Sequence, residues 1–190
     1  PKAGEKNADV SLYVWDLNTD STTKVKLQKP YNDFYIPRIK WTSDASVLSA
    51  QYLNRLQNEL DLWAIDTTSN KSSILLTETD AAYVDVTDNL TFLKDNSFIW
   101  TSEKDGHNHL YHYNKNGQLI NQLTKGDWEV TAYYGYDEKK KRIYYQSVEN
   151  GSINRDVYAI GLNGQNKRRL SAKTGTNTAA FSADFTFYIN

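Results

Sequence analysis

The sequence contains no cysteine and no methionine among its 190 residues. Without cysteine there can be no disulfide framework, no thiolate zinc site and no cysteine nucleophile. The 22 basic and 23 acidic side chains nearly cancel, which argues against a nucleic-acid binder that neutralises phosphates. No apolar run approaches the roughly 18 to 20 residues that span a bilayer. We therefore expect a soluble domain, and the missing initiator methionine favours a piece of a longer protein.

The residues that are abundant indicate a fold class. Fourteen tyrosines, five tryptophans and six phenylalanines occur among many threonines, valines and isoleucines, which is a strand-forming mixture. No stretch rich in proline, glycine or serine marks a linker. The composition predicts one all-β domain over residues 1–190.

An internal repeat organises the chain. Four short segments share an apolar residue followed by an aromatic one, and the aromatic recurs after 50, 48 and 47 residues. Each segment is followed by a second short strand, which predicts a hairpin in every copy. The four segments are Leu12 to Asp16, Leu62 to Asp66, Leu110 to Asn114 and Val157 to Gly161. The second strands end in Leu27-Gln28, Leu76-Thr77, Leu123-Thr124 and Leu170-Ser171.

Turn acids at Asp44, Asp95, Asp137 and Asp184 each precede a further apolar strand, so that four strands make one unit. A unit of about 40 to 50 residues with four strands is typical of a propeller blade. The turn pairs Asn116-Gly117 and Asn163-Gly164 fit this interpretation. The predicted complete blades run from Asp33 to Leu76, Tyr83 to Leu123 and Trp128 to Leu170. Half-blades are predicted over Val10 to Leu27 and over Ala179 to Ile189.

One segment also allows a different interpretation. Leu53, Leu56 and Leu60 have helical spacing, so Gln51 to Leu62 could form an amphipathic helix. The repeat favours strands there.

Few residues suggest chemistry. The nucleophile elbow, the P-loop, the dinucleotide fingerprint and the EF-hand loop are all absent. His107, His109 and His112 could include two metal ligands, but no third ligand is evident, and a hydrogen-bonding role is favoured. Asp85 and Asp88 are predicted on or beside an innermost strand, where an acid pair could hold a cationic group of a ligand. The basic runs at 139–142 and 167–169 are expected at solvated turns or on an outermost strand.

Several strings resemble the N-terminal propeller of the dipeptidyl peptidase IV family, and the nearest members are in its bacterial branch. The strings are PKAGEKN from Pro1, YIPRIKWT from Tyr35, NRLQNELDLWAID from Asn54, WTSEKDGHNHLY from Trp100 and LTKGDWEV from Leu123. The resemblance implies about four blades of an eight-bladed propeller that covers an α/β-hydrolase domain. Family members remove dipeptides from peptide N termini when proline or alanine is the second residue.

The resemblance also implies where the chemistry lies. The family's catalytic serine, aspartate and histidine belong to the C-terminal domain, and the glutamates that bind the substrate amine precede the PKAG string. We therefore expect no catalytic residue, no metal site and no cofactor in this chain, which would be inactive alone. Further substrate contacts of the family, an aromatic residue and an arginine, would fall near Tyr83 to Asp88, where no arginine occurs. The expected location is periplasmic or secreted.

The expected partners are a peptide substrate, the hydrolase domain of the same parent chain, and a second copy paired through the terminal strands. Nucleic acid and a membrane span are not expected. Two alternatives remain: a freestanding protein-interaction propeller without a hydrolase domain, and the propeller of an acylaminoacyl peptidase or oligopeptidase. The PKAG and WEV strings favour dipeptidyl peptidase IV over the latter.

Overall fold

The computed structural model of the protein describes residues 4–190, and within that range it contains strands and turns but no helix. The first three residues of the PKAGEKN string lie outside the described residues. The chain divides into two compact units, which meet in sequence between Asp88 and Asn89. Nothing in the described part of the chain forms a helix with the length and apolar character that a membrane span needs.

The first unit contains a two-stranded and a four-stranded antiparallel sheet. The two-stranded sheet pairs β1 (Tyr13–Asp16) with β2 (Ser21–Lys24). The four-stranded sheet has its strands in sequence order, β3 (Phe34–Trp41), β4 (Val47–Asn54), β5 (Glu59–Asp66) and β6 (Lys71–Thr79).

The second unit repeats this plan. One sheet consists of β7 (Thr91–Phe92), β8 (Phe98–Ser102), β9 (His109–Tyr113) and β10 (Leu119–Gln122). The next consists of β11 (Val130–Asp137), β12 (Arg142–Ser147), β13 (Asp156–Gly161) and β14 (Arg168–Arg169). A last pair is formed by β15 (Ala180–Phe181) and β16 (Tyr188–Ile189).

The predicted repeat is confirmed. Trp63, Tyr111 and Tyr158 all lie on the third strand of a four-stranded sheet, and Tyr13 lies on the first strand of the two-stranded sheet β1–β2. Sheets of four meandering antiparallel strands that recur along a chain are typical of propeller blades. The chain is thus all-β, a propeller fragment with three complete blades and two halves, or about four blades of an expected eight.

The helix considered over Gln51 to Leu62 is wrong. Strand β4 continues to Asn54, a tight turn follows, and β5 begins at Glu59. Asn54 closes the turn because its side-chain oxygen accepts hydrogen bonds from the backbone N–H groups of Asn58 (3.0 Å) and Glu59 (3.2 Å). Gln57 adopts a positive φ of 58° in this turn, which a continuous helix does not contain.

Pro37 lies in the edge strand β3, where its missing N–H is tolerated. The pairing of β3 with β4 shifts register between Tyr35 and Arg38, so the proline occupies an interruption of the ladder. Residues 38–41 after this bulge are exposed.

Central strands are buried on both faces, unlike the outer ones. Strands β8 and β9 are buried at every position, whereas both residues of the outermost strand β14 are exposed. In the second unit, Ile99, Leu110, Ile143 and Ile160 belong to one core shared by two sheets. In the first unit, Val14 of β1 and the flanking Leu12 and Val25 pack against the core of the sheet β3–β6. Packing between successive sheets therefore explains why the strands lack a simple inside–outside alternation.

In all three complete blades, a hydroxyl group in or just after the fourth strand links that part of the chain to the start of the third strand. Thr77 donates to Asp61, Thr124 contacts His109 (Oγ1 to Nδ1 3.1 Å), and Ser171 donates to Asp156 (Oγ to Oδ1 2.7 Å). In two of the blades the same hydroxyl also accepts a backbone N–H, from Leu110 at 2.9 Å and Val157 at 3.3 Å. The recurring Leu-Thr or Leu-Ser ending is therefore a structural requirement of each blade.

Asp61 and Asp156 are buried carboxylates with several donors. Burial alone would raise the pKa of Asp61, but hydrogen bonds from Lys29, Thr77 and Tyr31 outweigh it and hold that pKa below its usual value. Burial would also raise the pKa of Asp156, but hydrogen bonds from Asn150, Ser171 and Arg169 outweigh this effect and lower that pKa.

The lowered pKa values of these two carboxylates predict acid sensitivity. A lowered pKa in the folded state gives stability that is present above the unfolded pKa of about 4 and is lost as the pH falls through the folded value. We expect Asp61→Asn and Asp156→Asn each to lower the free energy of unfolding at pH 7 by about 2 to 4 kcal/mol and to flatten its decline below about pH 4. Urea titrations from pH 7 to pH 2 measure both effects.

The matched control is Glu103→Gln, which removes an exposed carboxylate. Its stability should follow the wild-type curve at every pH. An unchanged acid dependence in both aspartate variants would contradict the assignment.

Candidate functional site

The segment from Tyr83 to Asp88 contains the two acids singled out in the sequence. It has no regular secondary structure and precedes the short strand β7 rather than forming part of it. Three interactions attach it to the sheet β3–β6. Val84 donates its N–H to the Gln57 carbonyl (2.8 Å), Gln51 donates its side-chain amide to the Thr87 carbonyl (2.9 Å), and Arg38 forms an ion pair with Asp88.

Arg38 contacts Asp88 through two nitrogens. Its Nε donates to Oδ1, its Nη2 donates to Oδ2 at 3.1 Å, and its Nη1 also donates to the Pro37 carbonyl at 2.8 Å. The ion pair lowers the pKa of Asp88 and raises that of Arg38. An arginine therefore does reach this segment, from strand β3, 50 residues earlier. Sequence reasoning missed it because it looked for the arginine within Tyr83 to Asp88.

The two acids differ in their charge environment. Asp88 is neutralised by Arg38, whereas Asp85 is exposed and forms no ion pair among the described residues. Tyr83 is also exposed, at 52%. The segment thus presents one uncompensated carboxylate two residues from an exposed aromatic side chain, and both kinds of group can attract a cation.

Gln51 is a second residue that sequence reasoning did not single out. It lies directly opposite Arg38 in the β3–β4 ladder and is 2% exposed. Gln146 occupies the equivalent second-strand position in the second unit and donates to the Asn177 carbonyl. These two glutamines anchor the segment that follows their own blade.

The three histidines make hydrogen bonds or ring contacts with residues of the second unit. Nδ1 of His109 contacts Thr124, and its Nε2 donates to the Gly126 carbonyl at 3.0 Å, so both nitrogens are in use. His107 lies in the turn before β9 and meets the His109 ring edge-on. Among residues 4–190 no group of three histidine, aspartate or glutamate side chains could hold a metal ion. The hydrogen-bonding role favoured from the sequence is confirmed for His109.

A second cluster contains the residue types of a catalytic triad, namely Asp95, Ser97 and His112. Their hydrogen bonds run in an order that cannot activate the serine. Ser97 donates to Asp95 (Oγ to Oδ1 2.6 Å), so its oxygen accepts from Nε2 of His112 (3.0 Å). A general base must instead take the proton from the serine. Burial lowers the pKa of His112, and Ser97 is only 3% exposed. The row is a structural network in which Ser97 and His112 are buried and Asp95 is exposed.

The basic runs lie partly where the sequence predicted, since Arg142 is instead the first residue of β12, the second strand of its sheet. Residues 139–141 form the turn between β11 and β12, and Arg168 and Arg169 form the outermost strand β14. Arg169 is tied to Asp156, so that part of this charge is internally compensated.

Comparison with known proteins gives the family. The protein-family model of the dipeptidyl peptidase IV (DPP IV) N-terminal region matches residues 1–190. The chain belongs to this family. The crystal structure of Porphyromonas gingivalis dipeptidyl peptidase 4 is 39% identical with a TM-score of 0.91, covering 100% of this chain and 27% of that one. A putative dipeptidyl aminopeptidase IV from Bacteroides ovatus is 25% identical with a TM-score of 0.81, covering 100% of this chain and 30% of that one.

Relatives from a fungus and from mouse share less sequence with this chain than the P. gingivalis protein does. A probable dipeptidyl peptidase 4 of Aspergillus flavus is 27% identical over the whole of this chain and 26% of its own length. Mouse inactive dipeptidyl peptidase 10 is 29% identical over 86% of this chain and 22% of its own length. The chain thus spans about a quarter of the curated relatives it matches. The resemblance to the DPP IV family, including its bacterial members, is confirmed.

The string TKGDWEV of this DPP IV N-terminal region has a structural explanation. Trp128 meets the His109 ring edge-on, with centroids 4.9 Å apart, and its indole covers Gly126. A Cβ atom on Gly126 would lie 2.2 Å from the indole nitrogen, and the residue has a φ of 147°. Only glycine fits there.

We expect Gly126→Ala to lower the free energy of unfolding by about 2 to 4 kcal/mol, because a clash adds to backbone strain. Gly106→Ala is the matched control, since Gly106 also has a positive φ, of 100°, but a Cβ atom added to it would meet no atom within 4 Å. The control should lose about 1 kcal/mol. Guanidinium titrations measure the difference, and equal losses would show that the Trp128 contact is unimportant.

Proposed function

We propose that the chain is the non-catalytic propeller portion of a DPP IV-like serine exopeptidase that removes Xaa-Pro and Xaa-Ala dipeptides from peptide N termini. The observation that carries this proposal is the likeness to the P. gingivalis enzyme along the whole chain, at 39% identity and a TM-score of 0.91. In this proposal the nucleophile and its base lie in a C-terminal α/β-hydrolase domain of the same parent chain, outside residues 1–190.

The proposed role of the propeller is selection and positioning. A channel about as wide as a peptide excludes folded proteins, and a site closed beneath it excludes water while binding energy orients the substrate. The chain supplies no cofactor in this role. The hydrogen-bonded row of Asp95, Ser97 and His112 supports the absence of hydrolysis by the chain alone, because its serine donates to the acid instead of the imidazole.

Asp85 and Asp88 are the proposed substrate contacts on the channel side. Asp85 carries the uncompensated charge, and Asp88 fixes the segment through Arg38. This charge distribution favours a peptide with a cationic side chain over a neutral one of similar size.

A second candidate is a protein-interaction propeller whose parent has no peptidase activity. It is favoured by one observation, the 29% identity to a mouse relative named as an inactive dipeptidyl peptidase. The periplasmic or secreted location belongs to the first proposal and is supported by the likeness to bacterial relatives. Fractionation of the source cells tests that location.

The deciding experiment compares the complete parent protein with the 190-residue chain. We expect the parent to hydrolyse a Gly-Pro chromogenic substrate, sensitive to a serine-directed inhibitor, and the chain alone to match the buffer blank. No turnover by the folded parent would support the interaction propeller. Inhibitor-sensitive turnover by the chain alone would overturn the assignment of the catalytic groups.

Charge variants in the active parent test the substrate contacts. We expect Asp85→Asn to lower the ratio of kcat/KM for Lys-Pro over Gln-Pro substrates about two- to fivefold, as for an exposed charge pair. Arg38→Gln should raise the ratio because it leaves Asp88 uncompensated. Asp127→Asn removes an exposed acid of the second unit and should leave the ratio unchanged. Equal ratios in all four proteins would exclude a role for Asp85.

The two-stranded sheets support the proposed homodimer or edge pairing. A two-stranded sheet is marginal alone, and Trp15 and Ile189 on the terminal strands are 61% and 79% exposed. Pairing between two copies would cover these edges. Light scattering of the 190-residue chain should give a mass near twice 21.8 kDa. A stable monomer at micromolar concentration would contradict the proposal.

A further inference from the structure

The second unit contains a cavity of about 650 Å³ that the proposed function does not use. One wall is formed by the sheet β7–β10 through His112 and Ile120. The other wall is formed by the sheet β11–β14, through two turns with Lys141, Leu162 and Asn163 and through Arg142 at the start of β12. Cavities that bind small molecules usually have about 300 to 1,000 Å³ and combine apolar surface with a few polar groups.

The cavity has uncompensated positive charge. Lys140, which also lines it, is paired with Asp137 (Nζ to Oδ2 3.1 Å) and donates to the Phe185 carbonyl. Glu138 is paired with Lys94. Lys141 and Arg142, in contrast, have no ion-pair partner among residues 4–190. Two cations are therefore available to an anion from outside the chain.

The remaining lining is neutral or apolar. Ile120 is 54% exposed although it is a large apolar side chain on a strand. Leu162 adds a second apolar surface from the facing turn. Because burial lowers the pKa of His112, its ring adds no positive charge near neutral pH. A ligand with an apolar part would cover surface that is otherwise left to water.

The turns that form the cavity are held in place without a ligand. Asn163 accepts the N–H of Gln165 (3.0 Å), Gly161 donates to the Gln165 carbonyl (2.8 Å), and Asn121 donates to the Leu162 carbonyl (3.4 Å). The last bond joins the two walls. A site formed in advance loses little affinity to ordering its own residues.

We propose that this cavity binds a small organic anion with an apolar body, a carboxylate or a phosphate ester. Its acidic group contacts Lys141 and Arg142, and its apolar part lies against Ile120 and Leu162. The planar guanidinium of Arg142 suits either acid because both present two oxygens side by side. This site is independent of the peptidase proposal and involves different residues.

Calorimetric titration of the 190-residue chain tests the chemistry of the ligand with four probes. Hexanoate and butyl phosphate carry both an acid and an apolar chain, and their relative affinities distinguish a carboxylate site from a phosphate site. Hexanol has only the apolar part, and inorganic phosphate has only the charge. We expect at least one amphipathic anion to bind at least tenfold more tightly than hexanol and inorganic phosphate.

Variants then locate the site. Arg142→Gln and Lys141→Gln should each weaken binding of the better anion about tenfold, the change expected for one charge-assisted hydrogen bond. Ile120→Asn should weaken it as well, without affecting inorganic phosphate. Lys139→Gln is the matched control, because Lys139 belongs to the same basic run but does not line the cavity. Circular dichroism verifies that each variant is folded.

Three results would overturn the proposal. The first is the absence of saturable binding of both amphipathic anions to the folded chain. The second is binding of hexanol as tight as that of the anions. The third is equal weakening by Lys139→Gln and Arg142→Gln, which would indicate attraction to the whole basic run instead of this cavity.

Discussion

The hydroxyl link between the third strand of each blade and the segment after it is the interaction on which the sheets depend. It satisfies a buried acid or imidazole and, in two blades, a backbone N–H with a single side chain. An unpaired polar group at these positions would cost about 1 to 3 kcal/mol. The link also accepts different partners, because aspartate serves at Asp61 and Asp156 and histidine at His109. This chemical tolerance lets the blades diverge in sequence while keeping one geometry.

The same link helps to distinguish polar residues that stabilise the fold from polar residues that are available to ligands. His109, Asp61 and Asp156 are among the most buried titratable groups, and all of them are committed to hydrogen bonds with their blade or with the segments next to it. The groups left for ligands lie outside the blade centres, in the segment with Asp85, in the turn with Lys141 and at the start of β12 with Arg142. Burial combined with complete pairing therefore marks a scaffold residue here, whereas exposed, uncompensated charge marks a candidate contact.

The sequence predicted the strands well because the aromatic positions repeat and the turns have clear chemistry. Gly117 and Gly164 have the positive φ values, 80° and 74°, that their Asn-Gly pairs indicated. Contacts between distant residues were harder to predict. The approach of Arg38 to Asp88 depends on how a bulged edge strand meets an irregular segment, and local sequence holds no signal for it. The hydroxyl link, in contrast, did have a signal in the sequence. A polar residue, Asp61, His109 or Asp156, directly precedes each repeated pair of an apolar and an aromatic residue, and a Leu-Thr or Leu-Ser ending follows later in the blade.

Burial of the central strands on both faces has a consequence for folding. A single blade offers β8 and β9 no cover on either face, because the faces of a sheet are buried only where a neighbouring sheet packs on them. A lone sheet would expose Ile99 and Leu110, or their counterparts, to water. The smallest cooperative folding element in each unit is therefore a pair of docked sheets, and an isolated blade should behave as a collapsed chain without fixed packing.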